Sequence, residues 1–140
     1  MSKEFKSKVD VNSESFLKNR AEMLEKIKEM HNLEKRSFDA SESKRKKFED
    51  RNQLSPRERL KALIDPDSEF VELYNMAGFL VEDKNFETSI PGASVIAGIG
   101  FINGVRCMIM VDDSGINAGA ATSTTVDKCV GCLEISLEKK

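Results

Sequence analysis

The sequence predicts an α/β fold in which charged N-terminal helices precede a small mixed domain, and three observations support this. Two apolar runs, Ala93–Ile102 and Val105–Val111, flank Asn103-Gly104, the commonest two-residue hairpin turn because both positions tolerate a positive φ. A Gly/Ala-rich loop, residues 112–121, then leads into a helical pattern. Charged side chains are concentrated at the other end, with 24 of the 46 in residues 1–50.

The order strand, glycine loop and helix is the first half of a βαβ unit, which a further parallel strand completes. The second apolar run is hydrophobic on both faces, as a strand of a parallel sheet is. The sequence stops at the end of the helix that follows it. We therefore expect an incomplete domain.

Composition predicts how the 140 residues are organised. Residues 1–50 carry 13 Lys/Arg and 11 Asp/Glu, a net charge of +2, whereas residues 51–140 carry 9 and 13, a net charge of −4, and hold every Gly, Pro and Cys. Charged segments without these residues are typical of exposed helices or linkers. We predict a charged helical segment over residues 1–52 and a packed domain over residues 53–140.

The N-terminal segment contains one clear helical pattern. With Asn12 or Ser13 as its N-cap, it predicts a helix of about 18 residues whose apolar positions recur every three or four residues, namely Phe16, Leu17, Ala21, Leu24, Ile27 and His31. Residues 32–52 have a poor apolar pattern that fits either a second helix or a mobile connection.

A short helix is predicted to begin at Ser55-Pro56-Arg57-Glu58, where the serine cap, the proline at the first helical position and the glutamate form a capping box. Asp65-Pro66 ends it, because the residue before a proline is pushed out of the helical region. Arg57 and Arg59 in its first turn oppose the helix dipole. They are either ordinary surface arginines or partners of an anion or acidic group.

Two further patterns concern strands. Residues 69–73 alternate as a strand does, and residues 77–82 form a second short apolar run. Within the first strand of the hairpin, Gly98 and Gly100 leave one face without side chains. Such a face invites the close approach of another backbone or of a ligand.

Several classes of protein are disfavoured by the sequence. Opposite charges are interleaved and Lys44–Lys47 is the only basic run, so no one-signed patch for nucleic acid is present. No apolar stretch is long enough to span a bilayer, and the first 15 residues mix acidic with basic residues, unlike a secretory or transit peptide. A cytoplasmic protein without membrane association is expected.

The three cysteines predict neither a disulfide framework nor a metal site. Cys129 and Cys132 have CxxC spacing, but Cys107 lies on a predicted strand and the only histidine, His31, is far upstream. Both CxxC thiols border the apolar face of their helix, so we expect structural thiols. A small thiol or metal protein centred on this pair is the weaker alternative.

The Gly/Ala loop joins a strand to a helix, the position at which α/β proteins commonly bind ligands. Small residues there let backbone N–H groups approach a bound group, and the helix N-terminus favours an anion. The loop has neither the GxGxxG spacing of a dinucleotide site nor the GK[ST] of a P-loop.

The order of these elements resembles a known family. The block PRERL-x-x-LIDP-x-S-x-F at Pro56–Phe70 is followed, within Ile96–Lys128, by GIG-x-x-x-GV-x-CMIM-x-DD, the Gly/Ala loop and a T-V-x-K helix. Over residues 14–140 this resembles the N-terminal part of the carboxyltransferase (β) subunit of biotin-dependent acyl-CoA carboxylases, which include the methylcrotonoyl-, propionyl- and geranyl-CoA carboxylases.

The resemblance implies an incomplete crotonase-like (ClpP/crotonase) carboxyltransferase domain of a ligase. Such subunits bind acyl-CoA and transfer a carboxyl group from carboxybiotin through an enolate, which backbone N–H donors stabilise. The biotin cofactor is carried by a partner subunit, and no metal is implied. The implied partners are acyl-CoA, a biotin carboxylase or biotin carrier subunit, and further carboxyltransferase subunits in an oligomer.

Site residues follow from the resemblance position by position. Arg57 and Arg59 match the R-E-R of the family, where structural contacts or the phosphates of coenzyme A are implied, and Gly119 and Ala120 match its acyl-CoA loop. These four are the implied acyl-CoA-binding residues, and no catalytic residue is assigned. The family commonly has Gly-Gly-Gly before the hairpin, where this chain has residues 91–93, and Lys-Gly-Gly where it has residues 117–119.

The resemblance also implies that the catalytic glycine loop and the biotin-binding domain would lie beyond Lys140. The expected protein is therefore a fragment of a carboxyltransferase subunit that does not turn over on its own. The alternative is a non-catalytic binding module that docks on full-length carboxylase subunits and assembles or blocks them.

Overall fold

The computed structural model describes residues 6–139, which form four α-helices and three β-strands. The elements are α1 (Glu14–Glu42), α2 (Arg45–Glu49), α3 (Pro56–Leu63), β1 (Val71–Glu72), β2 (Val95–Ile102), β3 (Val105–Asp112) and α4 (Ser123–Glu138). A single 3₁₀ turn, Asn117–Gly119, lies between β3 and α4. The chain divides into two units, Met1–Asn32 and Leu33–Lys140.

In the first unit, α1 is an exposed helix. The Ser13 hydroxyl accepts a hydrogen bond from the Phe16 N–H (3.3 Å), so Ser13 is the N-cap. Lys26 pairs with Glu29 one turn away at 2.9 Å. Leu17 and Leu24 of the predicted apolar pattern are about half exposed. The pattern therefore indicates a helix, but its residues do not form a hydrophobic core.

The predicted length of the first helix was too short. Helix α1 has 29 residues and continues to Glu42, and α2 follows, so residues 32–52 are mostly helical. The residues that α1 buries in the second unit are Ser37 and Ser41, which give no hydrophobic signal. The predicted division at residue 52 stays a prediction.

The sheet has the order β1-β2-β3. Strands β2 and β3 pair antiparallel from Val95↔Asp112 to Ile102↔Val105, which confirms the predicted hairpin. Both residues of its turn, Asn103 and Gly104, have positive φ. Their N–H groups donate to the two carboxylate oxygens of Asp65, at 2.6 and 2.7 Å.

Both strand pairs within residues 6–139 are antiparallel, and the further parallel strand expected after α4 stays a prediction. Ile109 is the one residue of β3 that is buried among the described residues. Residues 77–82 form turns, with Gly78 and Leu80 in left-handed conformations.

The sheet carries a helix on each face. Leu60 of α3 packs with Ile96 and Ile109 on one face, and Cys132 of α4 packs with Val95 and Ala97 on the other. Buried apolar contacts of this kind supply most of the stability of such a layer. The strand pair thus fixes where the first turn of α3 and the start of α4 lie.

Helix α3 begins as predicted. The Ser55 side chain accepts from the Glu58 N–H, and the Glu58 carboxylate accepts from the Ser55 N–H at 2.8 Å. Hydrogen bonds from the Ser55 backbone N–H and from the Ser55 side chain to the carboxylate lower the pKa of Glu58. The helix ends at Leu63, and Ile64 is already extended.

Within residues 6–139, none of the helices combines the length and the apolar character that crossing a bilayer requires.

Candidate functional site

Two left-handed turns flank the start of α4. In the first, Gly92, Ala93 and Ser94 have φ of 109°, 51° and 52°. In the second, the 3₁₀ turn Asn117–Gly119, the three values are 47°, 53° and 79°. Left-handed backbone disfavours residues with a Cβ by roughly 1–2 kcal/mol each, and such strain tends to cluster at functional sites.

A cavity of about 160 Å³ lies between the two turns. Ala93 and Ser94 of the first turn and Asn117 of the second line it, together with Thr122 and Thr124 at the N-terminus of α4. Thr122 is the N-cap of α4 and forms a capping box with Thr125. The helix terminus therefore meets the cavity with a defined backbone conformation.

Hydrogen bonds hold the two turns together. The Ser94 hydroxyl donates to the Ala120 carbonyl at 3.0 Å, and the Ser94 carbonyl accepts from the Asp113 N–H at 2.8 Å. Ser94 is only 2% exposed. The loop after β3 and the turn before β2 therefore form one structure.

Helix α1 supports this structure through buried serines. The Ser41 hydroxyl donates to Asp113 Oδ1 at 2.7 Å, and the same oxygen accepts from the Gly115 N–H. A Cβ at Gly92 would lie 2.7 Å from Ser37 Oγ. The serine pair therefore seats the end of α1 against the first turn and against the start of the loop after β3.

Lys128 of α4 lies under the first turn and is 2% exposed. Its Nζ donates to the carbonyls of Gly92 (3.2 Å) and Val95 (2.6 Å). Burial lowers the pKa of Lys128 below its ordinary value. Sequence analysis did not identify this residue, although its place in the T-V-x-K motif was the available signal.

Arg57 is held away from the cavity. Its guanidinium pairs with Glu72 of β1 at 3.1 Å and lies 5.5 Å from the centre of the Phe38 ring. The charge of Arg57 is therefore balanced within the protein. Its assignment to acyl-CoA binding stays a prediction.

Arg59 is exposed and reaches the end of β3, where Nη2 donates to the Asp112 carbonyl at 3.1 Å. Among residues 6–139 it forms no ion pair. Its positive charge is thus available at the base of the Gly/Ala loop.

The two predicted loop residues lie in the second turn. A Cβ at Gly119 would lie 3.3 Å from the Ser114 side chain, and the φ of Gly119 is 79°, so glycine suits this position. Ala120 offers its carbonyl to Ser94. The structure thus gathers Arg59, Gly119 and Ala120 around one loop, with Arg57 on another side of α3.

The far rim of the cavity is acidic. Glu82 and Asp83 line it, and Glu82 accepts from the Thr124 hydroxyl at 3.0 Å. Hydrogen bonds from the Thr88 hydroxyl and the Asn85 N–H lower the pKa of Asp83. The rim therefore accepts hydrogen bonds and repels anions at neutral pH.

The CxxC thiols lie in and beside the core. Cys132 is fully buried and Cys129 is half-buried, and burial raises the pKa of Cys132. No group of three or more His, Cys, Asp or Glu side chains within the described part of the chain is placed to hold a metal ion.

Replacing Ala118 by glycine is expected to stabilise the protein by up to about 1 kcal/mol. Ala118 has φ 53° and ψ 22°, and glycine removes the Cβ penalty there, although it loses more chain entropy on folding. Chemical denaturation measures the change. Ala121→Gly, at a loop position without positive φ, is the control and is expected to be neutral or destabilising. An equal stabilisation by both changes would contradict the strain argument.

The fold and the site define an α/β domain that joins a β-hairpin to a helix through a Gly/Ala loop beside a polar cavity. The profile of the family described as "Carboxyl transferase domain" matches residues 47–140. The chain belongs to this family.

Relatives of known name agree. The chain is 35% identical over 129 residues to the mitochondrial methylcrotonoyl-CoA carboxylase beta chain of Arabidopsis thaliana, covering 91% of this chain and 21% of that protein. It is 38% identical over 90 residues to a probable biotin-dependent acyl-coenzyme A carboxylase beta2 subunit of Mycobacterium tuberculosis, covering 64% and 16%.

The fold is similar to the crystal structure of the geranyl-CoA carboxylase beta subunit of P. aeruginosa, with a TM-score of 0.82 and 38% identity over 96% of this chain and 25% of that one. The architecture is thus part of a crotonase-type carboxyltransferase domain, as predicted. The chain spans about a quarter or less of the length of these proteins.

Proposed function

We propose that this chain forms the first part of the acyl-CoA-binding domain of an acyl-CoA carboxylase carboxyltransferase subunit, with coenzyme A esters as its ligands. The supporting observation is the polar cavity between two left-handed turns at the start of α4. It lies after a strand and before a helix, where α/β proteins bind ligands, and Arg59 stands at the base of the same loop.

The charges suggest which parts of a coenzyme A ester would contact which parts of this surface. The acidic rim formed by Glu82 and Asp83 accepts hydrogen bonds but repels phosphate, so it suits the neutral amide and hydroxyl groups of the pantetheine arm. Arg59 is exposed and has no ion pair among residues 6–139, so it suits a phosphate. Arg57, paired with Glu72, would position α3 on the sheet.

Transfer of a carboxyl group to the bound acyl-CoA would also require other proteins. Biotin carried by a biotin carboxylase or carrier subunit would supply the carboxyl group, and no described residue is assigned to it. The task proposed for this chain is to bind and orient the acyl-CoA, within an oligomer of carboxyltransferase subunits in the cytoplasm.

Replacing Arg59 by glutamine tests this function. A charge-assisted hydrogen bond to phosphate is worth roughly 1.5–3 kcal/mol, so calorimetry should show CoA binding weakened by about tenfold or more. Binding of pantetheine, which lacks the phosphates, should be unchanged. Lys61→Gln on the exposed side of α3 is the matched control and should leave both affinities unchanged.

Two results would contradict the proposal. One is that the unmodified chain binds neither CoA nor pantetheine. The other is that Arg59→Gln weakens CoA binding no more than Lys61→Gln, which would move the phosphate contact away from α3.

A further inference from the structure

Three carbonyl groups within residues 92–95 face donors of α4, whereas the Ser94 carbonyl accepts from the Asp113 N–H. The Gly92 and Val95 carbonyls accept from Lys128, and the Ala93 carbonyl accepts from the Thr125 hydroxyl at 2.8 Å. Lys128 and Thr125 are three residues apart and thus on one face of α4. Both are at least nine-tenths buried.

The geometry of the peptide bond fixes where the N–H groups of this turn point. In a planar trans peptide the carbonyl and the N–H of the next residue point in opposite directions. Because the Gly92 and Ala93 carbonyls face α4, the N–H groups of Ala93 and Ser94 point away from it. Neither N–H has an acceptor among the described residues, and both residues line the cavity.

Two adjacent N–H groups that point the same way form a concave donor pair that suits an oxygen with negative character. Such a pair is useful only if the strained backbone is held in place. The donor pair of Ala93 and Ser94 is therefore a part of the cavity wall that suits an acceptor oxygen.

We infer that Lys128 is a positioning residue for the proposed ligand site: with Thr125 it clamps the turn formed by residues 92–95, so that the N–H groups of Ala93 and Ser94 are presented to an acceptor oxygen of the bound ligand. This rests on the proposed function for the nature of the ligand. The clamp itself rests only on the contacts of Lys128 and Thr125.

Lys128→Met tests the clamp, since methionine keeps most of the side-chain length and removes the donor. Lys139→Met is the matched control, at an exposed lysine directly after the last residue of α4. Thr125→Val, which removes the hydroxyl at nearly constant volume, and Thr125→Ser, which keeps it, form a second pair. The readout is the ¹⁵N–¹H spectrum of the full 140-residue chain with and without CoA.

In the unmodified chain, CoA should shift the Ala93 and Ser94 signals. Lys128→Met should move both signals in the free protein, abolish their response and weaken CoA binding at least tenfold. The Asn103 and Gly104 signals, fixed by Asp65, should stay in place and report an intact fold. Lys139→Met should behave as the unmodified chain.

Other outcomes overturn the inference. Unchanged Ala93 and Ser94 signals in Lys128→Met would show that the turn holds its shape without the lysine. If Lys128→Met does not fold, the threonine pair decides: Thr125→Val must displace the two signals and Thr125→Ser must keep them, and equal spectra reject the clamp. If the unmodified chain binds no CoA, the proposed function fails, while the signals of the free proteins still decide the clamp.

Discussion

Gly98→Ala should destabilise the protein by about 3 kcal/mol, at the upper end of overpacking changes. A Cβ at Gly98 would lie 2.3 Å from the Val71 carbonyl oxygen and 2.6 Å from Phe70 Cζ. The first contact is with backbone, because β1 pairs with β2 directly opposite this residue, at Glu72↔Gly98. The clash is relieved only by displacing β1 from the sheet.

Gly100→Ala is the matched control on the same face of β2. A Cβ at Gly100 would approach only side-chain atoms, Ile109 Cδ1 and Phe70 Cδ2, both at 3.2 Å. These atoms can move, so we expect a change below about 1.5 kcal/mol. Urea denaturation of both variants provides the comparison. Similar midpoints for the two variants would show that β1 is not held against Gly98 in solution.

Displacing β1 should also disturb α3. Glu72 of β1 is the partner of Arg57, so moving β1 leaves a half-buried guanidinium without its carboxylate. Removing one partner of a partly buried ion pair destabilises a protein more than lacking both partners does. The Gly98 substitution is therefore expected to lower the cooperativity of unfolding as well as its midpoint.

The elements that sequence analysis predicted correctly are those with local causes. The hairpin follows from Asn103-Gly104, and the start of α3 follows from a capping box within four residues, Ser55–Glu58. The glycine face of β2 was expected to meet another backbone or a ligand, and β1 lies against it. Each of these signals lies within a few neighbouring residues, although the backbone that meets Gly98 comes from a distant part of the chain.

The features that were missed depend on contacts between distant residues. The last part of α1, up to Glu42, packs through Ser37 on the first turn and through Ser41 on the loop after β3, and small polar residues carry no periodic hydrophobic signal. Strand β1 pairs with the middle strand of the sheet, and its Glu72 holds Arg57 away from the cavity. No pattern in the sequence distinguished Arg57 from Arg59 in this respect.

The sequence predicted which loop belongs to the candidate site, but only part of the geometry of that site. The Gly/Ala composition of residues 112–121 indicated close backbone approach, but the left-handed residues include Ala93, Ser94 and Ala118, which do not favour that conformation. A buried lysine is rare unless it is paired, and the sequence analysis did not single out Lys128. Lys128 is buried, and its Nζ donates to the Gly92 and Val95 carbonyls at the first left-handed turn.

Burial of Lys128 predicts a pH dependence of stability. Its pKa is lowered from 10.5 chiefly by desolvation, and in part by Arg57, against the opposing effects of Glu72, Cys132 and Cys129. Between the lowered pKa and 10.5 the unfolded chain binds a proton that the folded protein does not. Stability therefore rises with pH in this window, by at most about 1.4 kcal/mol per pH unit.

The measurement is the free energy of unfolding of the unmodified chain minus that of Lys128→Met, from urea denaturation between pH 7 and 10.5. We expect this difference to be flat at lower pH and then to rise. Cys132 contributes an opposite slope, because its raised pKa makes the folded protein keep a proton that the unfolded chain loses. Cys132 is present in both proteins, so most of its slope cancels in the difference. A difference that stays flat or falls up to pH 10.5 would show that Lys128 keeps an ordinary pKa and is not buried as described.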